Sequence, residues 1–448
     1  MTNPASKYKK LKSLQLAAII FLTVSGGPYG LEPLLTYAGS HGALLLLMLT
    51  PILWDIPTIL TVLELNSMMP VTGGYYQWVK RALGLRFAFY EGWWTWLYTF
   101  VDLAIYPVLF IEYAAFFIPG IEVYKIPVCL VIIWSSVVLN ILGIVPVGKT
   151  SLILGSLVLI PFIILFGLAL SHFSGGFTIP SPSLSGLSFS SIGMALYTVM
   201  WNFLGWDNTT TYAEEVERPI RAYIKSVSIA FLLIFAVYFL AIITAQQSGV
   251  DYNTLNDQGF PILGSIYGGY WLSALLSLGG MASALGLFSA VLLSVSRVPE
   301  VMADDKLLPQ KLNKLHPKYK TPYISIIVCA AVVSFMILWT FEELLIIDVT
   351  LYGAGLFLEF ITLIVLRIKA PHDIRPFKIP FNVPGLCIMI LLPLSVYGIA
   401  LAAAFSESGG TLAPALFAVA TLLTAEILWQ FISWKKRLTE RRDETGLH

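Results

Sequence analysis

Acidic side chains occur inside stretches of sequence that are otherwise apolar enough to lie in a lipid bilayer. They are Glu32, Asp55, Asp102, Glu112, Asp207 and Glu359. A carboxylate at the bilayer centre costs ~2.5–3.5 kcal/mol, so each one requires a proton, a polar partner or a wet cavity. No lysine or arginine lies deep in the same stretches. The partner could therefore be a cation that comes and goes: a proton, a sodium ion or an amine substrate.

The third apolar segment carries polar residues along one face, as an inward-facing helix would. On a helical wheel they fall within a stripe roughly 80° wide. The members of this stripe are Glu91, Thr95, Tyr98, Asp102, Tyr106 and Tyr113. Counting ~1.5 Å per residue from Phe87 places Asp102 close to the midplane. We predict that Asp102 and Tyr106 contact substrate; the alternative for Asp102 is an inert, hydrogen-bonded carboxyl group that locks helix packing.

Two apolar segments are interrupted by residues that helices in lipid avoid. The first interruption is Ser25-Gly26-Gly27-Pro28-Tyr29-Gly30, and the second is Asn202-Phe203-Leu204-Gly205-Trp206-Asp207-Asn208. Unpaired backbone groups are costly in hydrocarbon, so an unwound helix persists only where they face protein, water or a ligand. The N–H groups from Gly27 onward would attract an anionic group, and the carbonyls near Val24 and Ser25 would attract an ammonium group. These two poles predict a zwitterionic amino acid or an amine as substrate.

Aromatic and acidic residues flank both interruptions. Tyr29, Trp201, Phe203 and Trp206 could cover a bound ammonium group by cation–π attraction, with plain packing as the alternative for each. Asp207 could bind substrate or could cap the half-helix that follows it.

The elements that must position these residues are membrane helices. The 448 residues are 57% hydrophobic and 12% charged, and the mean hydropathy is +0.80, which excludes a water-soluble globule. Apolar runs predict one domain, residues 1–448, of about twelve transmembrane helices. The segments are 14–36, 42–65, 87–118, 126–146, 151–171, 191–215, 223–248, 270–298, 321–340, 344–367, 386–405 and 412–433.

The distribution of charge predicts the topology. With the N-terminus in the cytoplasm, every lysine and arginine except Lys125 lies on the cytoplasmic side, as the positive-inside rule requires. The interruptions lie five segments apart, an odd number, which predicts an inverted repeat. The predicted division is a cytoplasmic N-terminus at 1–13, a first repeat at 14–171, a second at 191–369, two appended helices at 386–434 and a cytoplasmic tail at 435–448. Acids near the cytoplasmic ends of segments are predicted to form interfacial salt bridges: Glu64, Glu91, Glu214 and Glu215.

The sequence lacks the residue patterns that other classes of protein require. Five scattered histidines and three distant cysteines give no metal-ligand spacing, no disulfide framework and no catalytic constellation. The basic residues follow the cytoplasmic face of a membrane protein, so no nucleic-acid partner is needed to explain them. We predict no enzyme, no cofactor and no metal site.

Assembled, these motifs resemble the amino acid–polyamine–organocation superfamily, most closely its plant-type polyamine and L-type-like branch. The resemblance covers nearly the whole chain and rests on Val24-Ser25-Gly26-Gly27-Pro28-Tyr29-Gly30-Leu31-Glu32, Glu64-Leu65, Met69-Pro70, Gly73-Gly74-Tyr75, Ala104-Ile105-Tyr106-Pro107-Val108-Leu109-Phe110, Trp201-Asn202, Trp206-Asp207, Glu215-Val216-Glu217-Arg218-Pro219, Met302-Ala303-Asp304-Asp305, Leu308-Pro309, Leu358-Glu359-Phe360 and Arg375-Pro376-Phe377.

The resemblance implies a LeuT-like fold, five helices plus five inverted with two appended, and transport by alternating access. It also implies backbone contacts to substrate from 25–27 and 201–203, and it makes Glu32, Asp102 and Glu359 candidates for amine binding or proton coupling. With the residues above, the predicted substrate-binding set is Ser25, Gly26, Gly27, Tyr29, Gly30, Asp102, Tyr106, Trp201, Asn202, Phe203, Trp206 and Asp207.

Two positions depart from the family pattern. Many proton-coupled relatives carry a lysine in the middle of helix five, where this chain reads Ser156-Leu157-Val158-Leu159-Ile160-Pro161, which argues against lysine-based coupling. Polyamine relatives tend to carry a second acid after the position of Glu32, and here Pro33 follows, which argues against a dicationic substrate.

The resulting prediction is a multi-pass transporter of the cell membrane that moves an amino acid or polyamine, with a cationic or amine-bearing substrate favoured. Coupling to protons is preferred over coupling to sodium. An exchanger driven by the substrate gradient and a non-transporting amine sensor are the alternatives.

Overall fold

A computed structural model describes residues 10–172, 180–338, 341–406 and 412–445. The ends of the predicted termini, 1–9 and 446–448, lie outside the described residues. The α-helices are α1 (Ser13–Val24), α2 (Pro33–Thr50), α3 (Ile56–Met68), α4 (Gly74–Leu83), α5 (Leu85–Ala114), α6 (Lys125–Leu142), α7 (Ile144–His172), α8 (Phe189–Trp201), α9 (Pro219–Gln247), α10 (Tyr252–Gln258), α11 (Pro261–Tyr267), α12 (Tyr270–Val295), α13 (Arg297–Asp304), α14 (Tyr323–Met336), α15 (Phe341–Lys369), α16 (Val383–Ser406) and α17 (Leu412–Thr445).

The described residues contain candidate membrane-spanning helices of two lengths. Among the described residues, nine helical stretches are long and apolar enough to cross a bilayer, and α1, α8 and α14 are shorter apolar helices. A π-helical turn at Pro51–Asp55 joins α2 to α3 in one stretch, and α12 continues into α13. The predicted all-α, multi-pass fold class is therefore confirmed.

The shortness of α1 and α8 follows from the two predicted interruptions. Helix α1 ends at Val24, and the helical residues from Pro33 to the turn at Gly39 (φ 60°) complete the first crossing. Helix α8 ends at Trp201. The half-helix predicted to reach residue 215 consists instead of 3₁₀ turns at Asn208–Thr211 and Ala213–Glu215, and Pro219 then opens α9.

Helices α5, α12 and α15 form the interior of the bundle. In the most apolar part of α5, and of the stretch that contains α12, 83% of the residues are buried. In the corresponding part of α17, 17% of the residues are buried. Helix α5 packs against both α12 and α15. The most apolar stretch of α5 is less apolar than that of α7. A helix facing lipid must be apolar, whereas a helix facing protein need not be. The polar stripe of α5 therefore lies inside the protein.

Ion pairs close the predicted cytoplasmic ends of the helices. Arg367 donates to Glu64 at 2.5 and 2.6 Å, and Arg297 lies 3.2 Å from Glu215. The salt bridges predicted for Glu64 and Glu215 are thus present. Glu214 instead accepts a hydrogen bond from the hydroxyl of Thr72 at 2.8 Å.

Removing one member of the buried pair should destabilise the protein. Arg297 and Glu215 expose 2% and 7% of their side chains, so Arg297→Met leaves a buried carboxylate without its cation at ~3–5 kcal/mol. We expect a clearly lower thermal unfolding midpoint in detergent. The control is Lys80→Met, because Lys80 exposes 36% of its side chain in its pair with Asp305 and such pairs contribute less than ~1 kcal/mol. Equal shifts for the two variants would contradict the prediction.

Candidate functional site

The two helix interruptions lie against each other. The amide of Asn202 donates to the carbonyl of Gly30 at 3.2 Å. A Cβ atom on Gly205 would lie 3.3 Å from the carbonyl oxygen of Thr23. The backbone adopts positive φ at Gly30 (89°) and Gly205 (94°), a conformation that suits glycine. The interruptions, about 180 residues apart in sequence, are therefore neighbours in space.

A small cavity, here called the central cavity, lies where the interruptions meet α5, α12 and α15. Its volume is about 10 Å³, enough for roughly one water molecule. The predicted site residues that line it are Ser25, Asp102, Tyr106, Trp201 and Asn202. The lining residues outside the predicted set are Thr23, Val24, Tyr98, Leu204, Gly205, Asn208, Leu287 and Asp348.

Asp102 and Asp348 are the two carboxylates of the central cavity. Asp102 is 6% exposed and accepts a hydrogen bond from Tyr106 at 2.5 Å, one helical turn away. Trp201 lies within hydrogen-bonding reach of the same carboxyl group. Asp348 is 1% exposed, neither of its oxygens has a hydrogen-bond partner, and its electrostatic neighbour is Asp102. Sequence reasoning missed Asp348, although the rule that selected the other intramembrane acids applies to it equally.

The unsatisfied polar atoms of the central cavity are oxygens. The side-chain oxygens of Asp348, the amide oxygen of Asn202 and the hydroxyl of Thr23 lack partners. Among the described residues, those that line it include no lysine, arginine or histidine. Buried acceptors without donors are costly, so the cavity suits a ligand that brings N–H donors and positive charge.

The first interruption offers fewer free donors than the sequence suggested. The N–H of Gly27 donates to the hydroxyl of Ser25 at 3.0 Å, and the N–H of Gly30 donates to Glu32 at 2.6 Å. Two of the N–H groups expected to attract an anionic group, those of Gly27 and Gly30, are therefore occupied within the protein. This arrangement favours an amine over the carboxylate end of a zwitterion.

Several predicted site residues lie outside the central cavity in this conformation. Gly26 and Gly27 face α12 and α7, because a Cβ on them would lie 2.5 Å from Ser283 Oγ and from Val158 Cγ1, respectively. The hydroxyl of Tyr29 donates to the carbonyl of Leu276 in α12 at 2.6 Å. These three residues hold the first interruption against its neighbours.

The aromatic residues of the second interruption are also packed. Phe203 meets Tyr238 edge to face at 5.0 Å between ring centroids. The indole N–H of Trp206 donates to Asp55 at 3.1 Å. Of the predicted aromatic set, Trp201 is the one that lines the central cavity.

Glu32 is held by three donors. It accepts from the hydroxyl of Tyr113 at 2.6 Å, from the N–H of Gly30 at 2.6 Å and from the N–H of Phe260 at 3.2 Å. It also lines a second cavity of about 310 Å³ that contains Glu112 and Asp257. Its donors give Glu32 a fixed position between the first interruption and α11.

A second group of buried acids, here called the three-acid cluster, consists of Glu91, Asp207 and Glu359. Glu359 interacts electrostatically with the other two. Asp207 accepts from the hydroxyl of Tyr352 at 2.7 Å and makes no capping hydrogen bond to the following 3₁₀ turn. The salt bridge predicted for Glu91 is wrong: its side chain is 1% exposed and lies against α15, near Gly355. Hydropathy had placed Glu91 at a segment end, but α4 and α15 cover it.

Comparisons with known proteins identify the class. A model of the amino acid permease family matches residues 11–427. The polyamine transporter RMV1 of Arabidopsis thaliana is 32% identical over 408 residues, which cover 90% of this chain and 82% of that protein. The polyamine transporter PUT1 of Oryza sativa subsp. japonica is 29% identical, covering 89% of this chain and 74% of its own.

A more distant match comes from a bacterium. The serine/threonine exchanger SteT of Bacillus subtilis is 25% identical, covering 83% of this chain and 86% of its own. The predicted resemblance is confirmed, as is the expectation of a transporter rather than an enzyme. The chain belongs to the amino acid permease family of the amino acid–polyamine–organocation superfamily and is a multi-pass membrane transporter.

Proposed function

We propose that this protein carries cationic amines, polyamines in the first place, across the cell membrane. The observation that carries the proposal is the central cavity, where Asp102 and Asp348 meet unpartnered oxygen acceptors and no basic side chain. An ammonium group supplies N–H donors and positive charge, and charge-assisted hydrogen bonds are stronger than neutral ones. Relatives named as polyamine transporters support this choice of substrate.

The two carboxylates of the central cavity, Asp102 and Asp348, favour a substrate with two positive charges. The absence of a second acid after Glu32 argued against a dication, but Asp348 supplies a second carboxylate beside Asp102. Two buried like charges repel, and a diamine or two separate cations would offset both. The charge of a diamine therefore matches the two carboxylates of the central cavity better than the charge of an amino acid with one net positive charge.

Transport requires the central cavity to change size. A ligand pocket is typically ~300–1,000 Å³, whereas this cavity of about 10 Å³ holds no diamine. Opening it would separate the interruptions from α5, α12 and α15. In the proposed alternating-access motion, the first, second, sixth and seventh predicted segments of the repeats 14–171 and 191–369 rock against the third, fourth, eighth and ninth segments. The appended helices at 386–434 lie outside this motion, and both termini are cytoplasmic in the proposed topology.

The proposed driving force is a proton gradient. Acids without basic partners occur in the central cavity and in the three-acid cluster, and buried carboxylates of this kind exchange protons or cations. Exchange driven by the substrate gradient is the second candidate, because the same cavity would serve and one relative is named as an exchanger. A non-transporting sensor would bind amines without moving them.

Uptake of radiolabelled compounds into proteoliposomes tests the proposal. We expect putrescine and spermidine to accumulate at least ~10-fold faster than alanine, because a neutral zwitterion leaves the two carboxylates uncompensated. An inward proton gradient should raise the initial rate. Uptake only into vesicles preloaded with amine would support the exchanger instead. Binding without uptake under any condition would contradict transport, and equal uptake of alanine would contradict the cationic substrate.

A further inference from the structure

The three-acid cluster does not line the central cavity, so the proposed amine site gives it no role. We propose that Glu91, Asp207 and Glu359 form a proton-binding site distinct from the amine site, and that Tyr352 transmits its protonation to the second interruption. This inference rests on the proposed function, because it assigns the place where the coupling proton is held.

The first argument is charge. Glu359 is fully buried and Glu91 nearly so, and the charged groups that act on Glu359 are the other two acids of the cluster. Three carboxylates this close cannot all be ionised in an interior that supplies no cation. Protons or another cation must therefore reside in the cluster.

The second argument is the set of groups that face the cluster. The titratable groups on the elements packed around it are Tyr75 of α4, Glu91 and Tyr98 of α5, Asp207 of the second interruption, and Tyr352 and Glu359 of α15. The hydroxyl of Tyr75 is fully buried and interacts electrostatically with all three acids. The next basic residue along α15, Arg367, is already bound to Glu64. Within the part of the chain that the structure describes, the cluster thus lacks a basic neighbour and has a buried hydroxyl beside it.

The third argument is size, which selects a proton over an ammonium group. The members of the three-acid cluster do not line the central cavity. Tyr98 and Tyr352 stand beside the cluster, edge to face with centroids 5.2 Å apart. A Cβ on Gly355 would lie only 3.2 Å from the carboxylate oxygen of Glu91, so α5 and α15 are in close contact there. An ammonium group would need a cavity between these helices, whereas a proton binds to a carboxylate without one.

The fourth argument is the connection to the central cavity. The hydroxyl of Tyr352 donates to Asp207 at 2.7 Å and accepts from the N–H of Gly205 at 3.4 Å. The hydroxyl of Tyr98 donates to Asn208 at 2.7 Å. Gly205 and Asn208 both line the central cavity. A change of charge on Asp207 therefore alters the hydrogen bonds that position the second interruption, which gives the proton a mechanical link to the amine site.

The test separates proton coupling from amine movement. Full-length wild type, Glu359→Gln and the exposed control Glu217→Gln are reconstituted, and two rates are measured with labelled putrescine: accumulation driven by an inward proton gradient, and counterflow into putrescine-loaded vesicles without a gradient. We expect Glu359→Gln to lose the gradient stimulation, by ~10-fold or more, while counterflow stays within about two-fold of wild type. Glu217→Gln should match wild type in both.

Other outcomes are decisive as well. Undiminished gradient stimulation in Glu359→Gln overturns the inference, as does parallel loss of counterflow and putrescine binding in a protein that elutes as folded. If Glu359→Gln does not fold, Glu91→Gln is judged by the same two rates. Counterflow without any gradient stimulation in wild type overturns the proton site but leaves amine transport standing. Absence of putrescine binding and counterflow in wild type overturns the proposed function itself.

Discussion

Asp348→Asn is expected to weaken putrescine binding by about 100-fold, or ~3 kcal/mol. Asp348 is buried, both of its oxygens lack partners, and it lines the central cavity beside Asp102. The substitution preserves shape but removes the charge and replaces one acceptor with a donor, which an ammonium group cannot satisfy. The dissociation constant, measured by binding of labelled putrescine to the purified protein, reports the effect.

The matched control for this prediction is Asp251→Asn. Asp251 is exposed and its carboxylate caps α10 by accepting from the N–H of Thr254 at 3.1 Å. Asparagine is an equally good cap, so folding and putrescine affinity should not change. An Asp348→Asn protein with wild-type affinity would show that this carboxylate does not hold the amine, and the proposed substrate class would lose its main support.

The fold was largely predictable because lipid imposes strict rules on sequence. Twelve apolar segments, the two interruptions and the inward face of α5 all follow from the cost of exposing polar groups to hydrocarbon. The same rules located Asp102, which does line the central cavity.

Helix ends and long-range contacts were less accessible to sequence reasoning. The second interruption continues into 3₁₀ turns rather than into a half-helix. Glu91 lies near the start of α5, where hydropathy suggests a surface, but contacts with α15 bury it. Asp348 becomes a candidate site residue because it lies beside Asp102, which is on another helix and 246 positions earlier in the sequence. Helix packing decides which residues become such neighbours, and helix packing could not be predicted from this one sequence.

The glycines of the first interruption illustrate the same limit. Sequence reasoning expected Gly26 and Gly27 to let a ligand approach the backbone. In the structure a Cβ on Gly26 would lie 2.5 Å from Ser283 Oγ and 2.6 Å from Leu287 Cδ1. Gly26 therefore lets α12 approach the interruption, and Leu287 in turn lines the central cavity. The glycine shapes the site through helix packing.

Gly26→Ala should consequently slow transport and lower stability. The substitution places a side chain at φ +61°, a conformation that costs ~1–2 kcal/mol for a residue other than glycine. It also forces a methyl group into the side chains of Ser283 and Leu287, and such overpacking costs ~1–3 kcal/mol. We expect a much lower folded yield in size-exclusion chromatography, a lower unfolding midpoint, and putrescine counterflow reduced at least ~10-fold in the protein that folds.

The control Gly120→Ala separates the two contributions. Gly120 also has a left-handed backbone, with φ at +86°, but a Cβ there meets nothing within 4 Å. This variant should show the backbone cost alone, about 1 kcal/mol, with normal transport. If Gly26→Ala behaved like Gly120→Ala, the contact with α12 would be adjustable rather than tight. The interruption would then not depend on close packing against α12, and the shape of the central cavity would have to be set by α5 and α15.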